Sequence, residues 1–197
     1  MTSRCIPFLV ANMALYAQAP KPVIDNVRVT VWDVKWTKGT LDPSRGRELD
    51  TVVLWTAGPQ VRTASFIPKD KVHDERAPDG SRSLIIELKD HPEQPYPNPT
   101  HYPLAFPRPH VKKLLENNRM VVWSYRWNPG EPTPMHFHDK DVVVVYLEDT
   151  SLTSTTPDGK KTGNQYKAFD VKFNKGNRTH TELLDHGSGS AMMMELK

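Results

Sequence analysis

The sequence predicts an all-β fold built from two related halves. The first observation is an internal repeat: VTVWDVKWTKG at 29–39 matches MVVWSYRWNPG at 120–130, so that two tryptophans and a glycine recur 91 residues later. The second is the alternation of apolar and polar residues with period two in these stretches, which indicates strands. The third is turn sequences such as TPDGK and APDGS, in which Pro presets φ and Gly accepts a positive φ.

The repeat extends over most of each half, and self-similarity of this kind defines the architecture. Three further pairs of blocks match in the same order: DTVVLW (50–55) with DVVVVY (141–146), FIPKDKVHDE (66–75) with FNKGNRTHTE (173–182), and SLIIELK (83–89) with AMMMELK (191–197). We therefore predict halves at 27–89 and 118–197. The second half is longer by some sixteen residues, within TSTTPDGKKTGNQYKAFDVK.

Two further segments lie outside the repeat. Residues 90–117 hold seven prolines in the twenty residues HPEQPYPNPTHYPLAFPRPH, which predicts an extended surface linker because proline cannot donate to a sheet ladder. The following HVKKLLEN predicts one short helix. Residues 1–26 are either a signal peptide, with small residues at Ala17 and Ala19, or an N-terminal arm. Pro20 counts against cleavage there. A signal peptide would predict export to the periplasm, whereas an N-terminal arm would predict a cytoplasmic protein.

The composition excludes several classes of protein. Its 26 basic and 23 acidic residues nearly balance, which indicates neither a nucleic-acid nor a membrane-surface partner. The sequence contains no run of about 18 apolar residues, so it does not predict a membrane-spanning helix. Cys5 is the sole cysteine, so no disulfide can form within the chain.

The histidines of the second half follow a pattern that is typical of a metal site. His136 and His138 lie two apart on a predicted strand and therefore face the same side. His180, from a later strand, can complete one face of a divalent metal ion, because imidazole suits Zn, Cu, Fe and Ni and three ligands leave coordination positions open. Two surface histidines are the alternative for the pair alone. The first half keeps only one of these histidines, with the counterparts Arg45, Arg47 and His73.

Gly130, followed after five residues by HFH at 136–138, resembles the first motif of the cupin superfamily. FNKGNRTH, which ends in His180, resembles the second motif. The resemblance covers 27–197 and implies double-stranded β-helix barrels in tandem, a bicupin whose first barrel is degenerate. HFHDKDVVVVYLED with TPDGK is similar to a group of small cupins that includes a β-alanine-degradation-associated cupin. The resemblance also implies a homodimer.

One position departs from the family pattern. In the usual first motif, three or four residues separate the second histidine from a glutamate. At these positions this chain has Val142 and Val143. Asp141 comes one place earlier and is either a fourth ligand or a turn aspartate. Its match to Asp50 in the first half favours the turn. The resemblance thus implies a three-histidine site, as in some thiol and diketone dioxygenases of the superfamily.

Four residues near the histidines are weaker candidates. Trp123, Arg126 and Tyr146 lie on the flanking strands and could line a substrate pocket. The alternative is a core position for the two aromatic residues and a solvent-exposed position for Arg126. Glu182 lies two residues after His180 on the same face, as a hydrogen-bond acceptor or an acid/base catalytic group.

The prediction for function is a metal-dependent dioxygenase, isomerase or lyase acting on a small polar or anionic metabolite. It would use one divalent ion, Fe, Zn, Mn or Ni. The alternative is a non-catalytic module that binds a small molecule and has a structural or vestigial metal site.

Overall fold

A computed structural model describes residues 21–46, 48–71, 77–90 and 95–197. Within these ranges the fold is all-β, as predicted, and none of the described residues forms a helix that could cross a membrane. The first half contributes β1 (Ile24–Asp25), β2 (Val29–Lys35), β3 (Asp50–Ala57), β4 (Thr63–Ile67) and β5 (Arg82–Leu88). The second half contributes β6 (Val111–Glu116), β7 (Met120–Trp127), β8 (His136–His138), β9 (Val142–Tyr146), β10 (Thr150–Thr155), β11 (Lys161–Tyr166), β12 (Val171–Asn174), β13 (Arg178–His186) and β14 (Gly189–Leu196).

Both halves contain the same five-stranded sheet. Its strand order is β1-β2-β5-β3-β4 in the first half and, read from the equivalent edge, β6-β7-β14-β9-β12 in the second. Cross-strand partners also correspond, since Trp32 pairs with Ile85 and Trp123 pairs with Met193. These pairs are related by the sequence offsets of 91 and 108. The repeat in the sequence is therefore a repeat of this sheet.

The second half has an additional four-stranded sheet, in the order β11-β10-β13-β8. Its buried Leu152 and Leu184 pack against aromatic residues of the five-stranded sheet, including Trp127, so that the two sheets enclose a common core. In the described part of the first half, strands β1 to β5 form one sheet alone. The tandem of two barrels stays a prediction, as His73 and Arg47, the counterparts of His180 and His138, lie outside the described residues.

The five-stranded sheets of the two halves pack face to face. Their common core consists of buried aliphatic and methionine side chains, which alternate along the strands so that one face of each sheet is apolar. The first half contributes Val29, Val31, Val52, Leu54, Leu84, Ile86 and Leu88, and the second Met120, Val122, Val143, Val145, Met192, Met194 and Leu196. The removal of this apolar area from water joins the two halves into one folded unit.

The prediction of a short helix in HVKKLLEN was wrong. Residues Val111–Glu116 form β6, which pairs with the edge of β7 in an antiparallel ladder with one register shift. Leu114 and Leu115 pack, partly buried, against the core between the two five-stranded sheets. Pairing with an open sheet edge and burial of these leucines outweigh the modest helix preference of Lys, Leu and Glu.

The proline-rich segment does more than cross the surface as a linker. Its residue Leu104 forms a parallel bridge with Phe137 of β8, and the backbone N–H of Ala105 donates to the carbonyl of Phe137 at 2.8 Å. Ala105 and Phe106 are buried. The segment therefore covers the open edge of β8, which would otherwise expose unpaired backbone groups. Residues 1–20, where a signal peptide was considered, lie outside the described residues.

Candidate metal centre

Two paired strands bring the three predicted histidines together. In the antiparallel pairing of β8 with β13, His136 lies directly opposite His180, and His138 lies opposite Arg178. Directly opposed residues place their side chains on the same face, with Cβ atoms about 5 Å apart. The imidazole centroids form a nearly equilateral triangle with sides of 4.9, 4.9 and 5.0 Å. One nitrogen from each ring lies within 4.8 Å of the other two.

Hydrogen bonding prepares these rings to act as ligands. The Nδ1–H of His136 donates to the carbonyl oxygen of Pro134 at 2.7 Å, which leaves Nε2 with a lone pair. This Nε2 lies 3.2 Å from the Nε2 of His138. The Nε2 of His180 is buried and has no hydrogen-bond partner. A backbone carbonyl that fixes the ring tautomer is a common feature around metal-binding histidines. The donor set therefore fits a divalent metal ion.

Burial keeps the three imidazoles neutral at pH 7. It lowers the pKa of His136 to about 3 and that of His180 to about 4, and it lowers the pKa of His138 well below its ordinary value. Nearby positive charges act in the same direction, Arg108 beside His136 and Arg178 beside His138. Because only a deprotonated imidazole nitrogen can bind a metal, these shifts keep the ligands available over a wide pH range.

Glu182 and Arg108 form a charged pair at the edge of the histidine triangle. The carboxylate of Glu182 lies 3.7 Å from the Nε2 of His180 and 3.5 Å from a guanidinium nitrogen of Arg108. Burial raises the pKa of Glu182, but its electrostatic interactions with His180 and with the guanidinium of Arg108 outweigh this effect, so that the pKa lies below its usual value. Trp127 donates its Nε1–H to the same carboxylate at 3.2 Å. Glu182 is therefore an oriented, ionised carboxylate next to the imidazoles.

The other guanidinium nitrogen of Arg108 donates to the Nε2 of His136 at 2.9 Å. The guanidinium also lies over the rings of Phe106 and Tyr125, 4.9 and 4.3 Å from their centroids. Its side chain is 5 % exposed. A metal ion bound by His136 would compete with Arg108 for this nitrogen.

A cavity of about 330 Å³ opens beside the histidines, inside the barrel of the second half. His138, His180 and Glu182 form part of its wall. The remaining wall is a mixture of aliphatic, hydroxyl, amide and guanidinium groups: Val142, Val144, Tyr146, Ser154, Thr156, Thr162, Asn164, Tyr166, Asn174, Arg178, Thr179 and Met193. Such a volume and lining suit a small polar molecule held next to the three imidazoles.

The other predicted pocket residues fall in different places. Tyr146 lines the cavity and stacks on Tyr166, with ring centroids 3.8 Å apart. Trp123 is a core residue outside the cavity lining, and its Nε1–H donates to the buried carboxylate of Glu195 at 2.8 Å. Arg126 also lies outside the lining, because its side chain is 52 % exposed and faces Glu148 at 3.6 Å.

The structure places Asp141 in a turn contact rather than among the imidazoles. Its carboxylate accepts the backbone N–H of Gly176 at 2.8 Å. In the first half, Asp50 accepts the backbone N–H of Lys69 at 2.9 Å, and the same repeat offsets relate both donors and both acceptors. The matching bond in both halves shows a structural role that is independent of the histidines. The cluster of metal-ligating side chains in the described residues contains only the three histidines.

Sequence reasoning missed two arginines of the site. Arg178 precedes His180 by two residues on β13, so the period-two argument that selected Glu182 also selects Arg178. Arg108 had no such signal. It comes from the proline-rich segment, and only the pairing of that segment with β8 brings its side chain to His136.

Comparison with known proteins supports the fold and a local sequence relationship. No protein-family model matches the chain. The curated Beta-alanine degradation protein BauB of Pseudomonas aeruginosa is 38% identical over 47 residues, which are 24% of this chain and 50% of that protein. The match thus spans about half the length of that relative.

Solved structures resemble the chain more widely. A cupin 2 conserved barrel domain protein from Leptotrichia buccalis aligns with a TM-score of 0.53 at 12% identity, covering 89% of this chain and 87% of that one. A cupin domain from Bordetella pertussis aligns with a TM-score of 0.42 at 23% identity, covering 50% of this chain and 98% of that one. The likeness to the Leptotrichia buccalis protein shows that this protein has the cupin fold, which confirms the fold class predicted from the sequence.

Proposed function

We propose that this protein is a metal-dependent enzyme of the cupin type that acts on a small polar or anionic metabolite. The observation that carries the proposal is the triangle of three buried, neutral imidazoles, two of which line a cavity together with an ionised carboxylate. Three protein ligands leave coordination positions for substrate or water, as in catalytic rather than structural sites.

His136, His138 and His180 would hold the metal, and each remaining group has a defined task. A bound divalent ion would supply Lewis-acid or redox chemistry to a substrate in the cavity. Glu182 lines the same cavity and can accept a proton from a bound molecule, because its carboxylate is ionised and within 3.7 Å of His180. Trp127 and Arg108 orient that carboxylate through their contacts with it.

The second candidate is a non-catalytic module that binds a small molecule. Arg108 favours it, since its guanidinium occupies the lone pair of His136 with good hydrogen-bond geometry. In that case the cavity would bind its ligand without turnover, and the metal would be structural or vestigial.

The decisive experiment is elemental analysis of the purified protein beside a His136→Ala/His138→Ala variant. We expect about one divalent ion per chain in the parent protein and at least about a tenfold lower content in the variant, because each lost imidazole removes one of three ligands. A His186→Ala variant, which changes an exposed histidine of the same strand, serves as the control. Absence of metal from the parent protein after reloading would refute the proposal.

Turnover is then tested with the metal-loaded protein on thiols, diketones, keto acids and sugars. The local match to a β-alanine degradation protein supports adding β-alanine to this panel. Melting-temperature shifts without turnover would favour the binding module. A homodimer and export remain proposals, which light scattering and the N-terminal sequence of the purified native protein would test.

A further inference from the structure

We propose that Arg178 binds a carboxylate group of the ligand and holds the rest of the molecule toward the three histidines. This inference rests on the proposed function, because it names the substrate class of the same cavity. Arg178 differs in chemistry from the predicted metal ligands, because it is a cation and not a lone-pair donor.

The backbone of β13 places Arg178 on the face that carries the site. Arg178, His180 and Glu182 alternate along this strand and all three line the cavity. Successive residues on one face of a strand are roughly 7 Å apart, since each residue advances the strand by about 3.3 Å. A molecule that spans this distance can reach both the guanidinium and the imidazoles, which corresponds to a short chain of a few carbon atoms.

Arg178 is half-buried, and its guanidinium lacks the carboxylate partner that other arginines of this protein have. No carboxylate lies within ion-pair distance of Arg178 among the described residues, whereas Arg108, Arg119 and Arg82 each pair with one. The Nε of Arg178 is buried and makes no hydrogen bond. A buried donor without a partner is costly, and a charged one more so. An anionic ligand in the cavity would remove this cost.

The surroundings favour a carboxylate over a doubly charged phosphate. Apart from Arg178 and Glu182, the polar groups of the cavity beyond the histidines are neutral, among them Asn164, Asn174 and Tyr166. Glu182 contributes a negative charge to the same wall. One guanidinium can neutralise one carboxylate through a pair of parallel hydrogen bonds, while phosphate carries two negative charges on one group, so that the second would be left facing Glu182. A dicarboxylate separates its two charges, so that its second carboxylate can extend toward a metal ion held by the histidines.

Calorimetric titration of the metal-loaded protein with succinate, with the neutral succinamide and with inorganic phosphate tests the inference. We expect succinate to bind at least about tenfold more tightly than succinamide, because a charge-assisted hydrogen bond exceeds a neutral one by that factor. We also expect it to bind more tightly than phosphate, whose second charge would face Glu182. Arg178→Gln should weaken succinate binding at least about tenfold, and Arg178→Lys by less. Arg126→Gln, which removes the same charge from an exposed position, should leave binding unchanged.

Metal content and melting temperature, measured on each variant, separate this inference from the proposed function and from misfolding. Arg178→Gln with full metal and unchanged succinate binding overturns the inference and leaves the metal site intact. So does equal binding of succinate and succinamide, a preference for phosphate, or no binding at all by the parent protein. Arg178-dependent binding by a parent protein that holds no metal upholds the inference and refutes the proposed function. If Arg178→Gln fails to fold, the Arg178→Lys variant and the succinamide comparison decide.

Discussion

Three imidazoles of the second half share one chemical state, which their burial imposes. Each is buried, and the positive charges of Arg108 and Arg178 add to the cost of protonation. Only His136 has a carbonyl partner for its Nδ1–H. The centre is therefore a set of neutral nitrogen donors. Below pH 6.5, the ordinary pKa of histidine, keeping them unprotonated lowers the stability of the folded protein.

Acidification of the metal-free protein is expected to lower its stability between about pH 6.5 and pH 4. The pKa values of these imidazoles are lowered in the folded state, so the unfolded chain binds more protons than the folded protein in this interval. Stability therefore rises with pH there and is lost as the pH falls. Each histidine contributes roughly 1 kcal/mol or more, about 2–4 °C in Tm. Thermal melting of chelator-treated protein from pH 7.5 to pH 4 measures this loss.

The control for this pH dependence is a protein with His136, His138 and His180 all replaced by glutamine. Glutamine does not titrate, so the difference in Tm between the two proteins gives the contribution of the three imidazoles, separated from that of all other titratable groups. We expect the variant to show a flatter dependence in this interval. Parallel curves for the two proteins would contradict the lowered pKa values of the imidazoles.

At the scale of elements, the site depends on a segment that crosses between the two halves. Residues 103–105 pair with β8, and the next residue, Phe106, lies against both the five-stranded sheet and the metal centre. The Phe106 ring stacks on Trp123 with a centroid distance of 5.5 Å and lies edge-on to His138 at 6.3 Å. The Phe106 side chain thus contacts both a core tryptophan and a predicted metal ligand on the edge strand β8.

Phe106→Ala is expected to lower the free energy of unfolding by about 3–5 kcal/mol, because a large side chain that is 7 % exposed leaves a cavity in the core. Loss of the ring also frees His138, so metal affinity should fall together with stability. Denaturant unfolding and metal titration measure the two effects. Leu104→Ala is the matched control from the same segment, since Leu104 is 42 % exposed. Similar losses for both variants would show that the segment itself, not the Phe106 ring, carries the effect.

The elements also show why parts of the site follow from the sequence and others do not. Alternation along a strand and the internal repeat suffice to select His136, His138 and His180, because both signals are local or periodic. They also suffice for Arg178, which the same period selects. Arg108 and the strand β6 have no such signal, since long-range pairing with β8 and β7 decides their conformation.

On the scale of the whole molecule, the described residues form the five-stranded sheet twice, once in each half, and the four-stranded sheet once. The first-half sheet uses its apolar face to cover the outer face of the barrel, and equivalent positions of the two sheets meet there. Val52 corresponds to Val143 and Ile86 to Met194 through the repeat, and all four belong to this common core. The metal centre lies on the other face of the second sheet, in contact with a separate core cluster.

The halves are therefore expected to unfold together, and a cavity in the first half should destabilise the metal centre of the second. Leu54→Ala removes a fully buried side chain from the shared core and should lower the free energy of unfolding by about 2–5 kcal/mol. Circular dichroism and release of bound metal to a coloured chelator, followed along one denaturant series, should report coincident midpoints, both shifted in the variant. Leu41→Ala, at a position that is 61 % exposed, should shift neither. Metal that is retained beyond the first of two separate transitions would show instead that the barrel folds independently of the sheet that covers it.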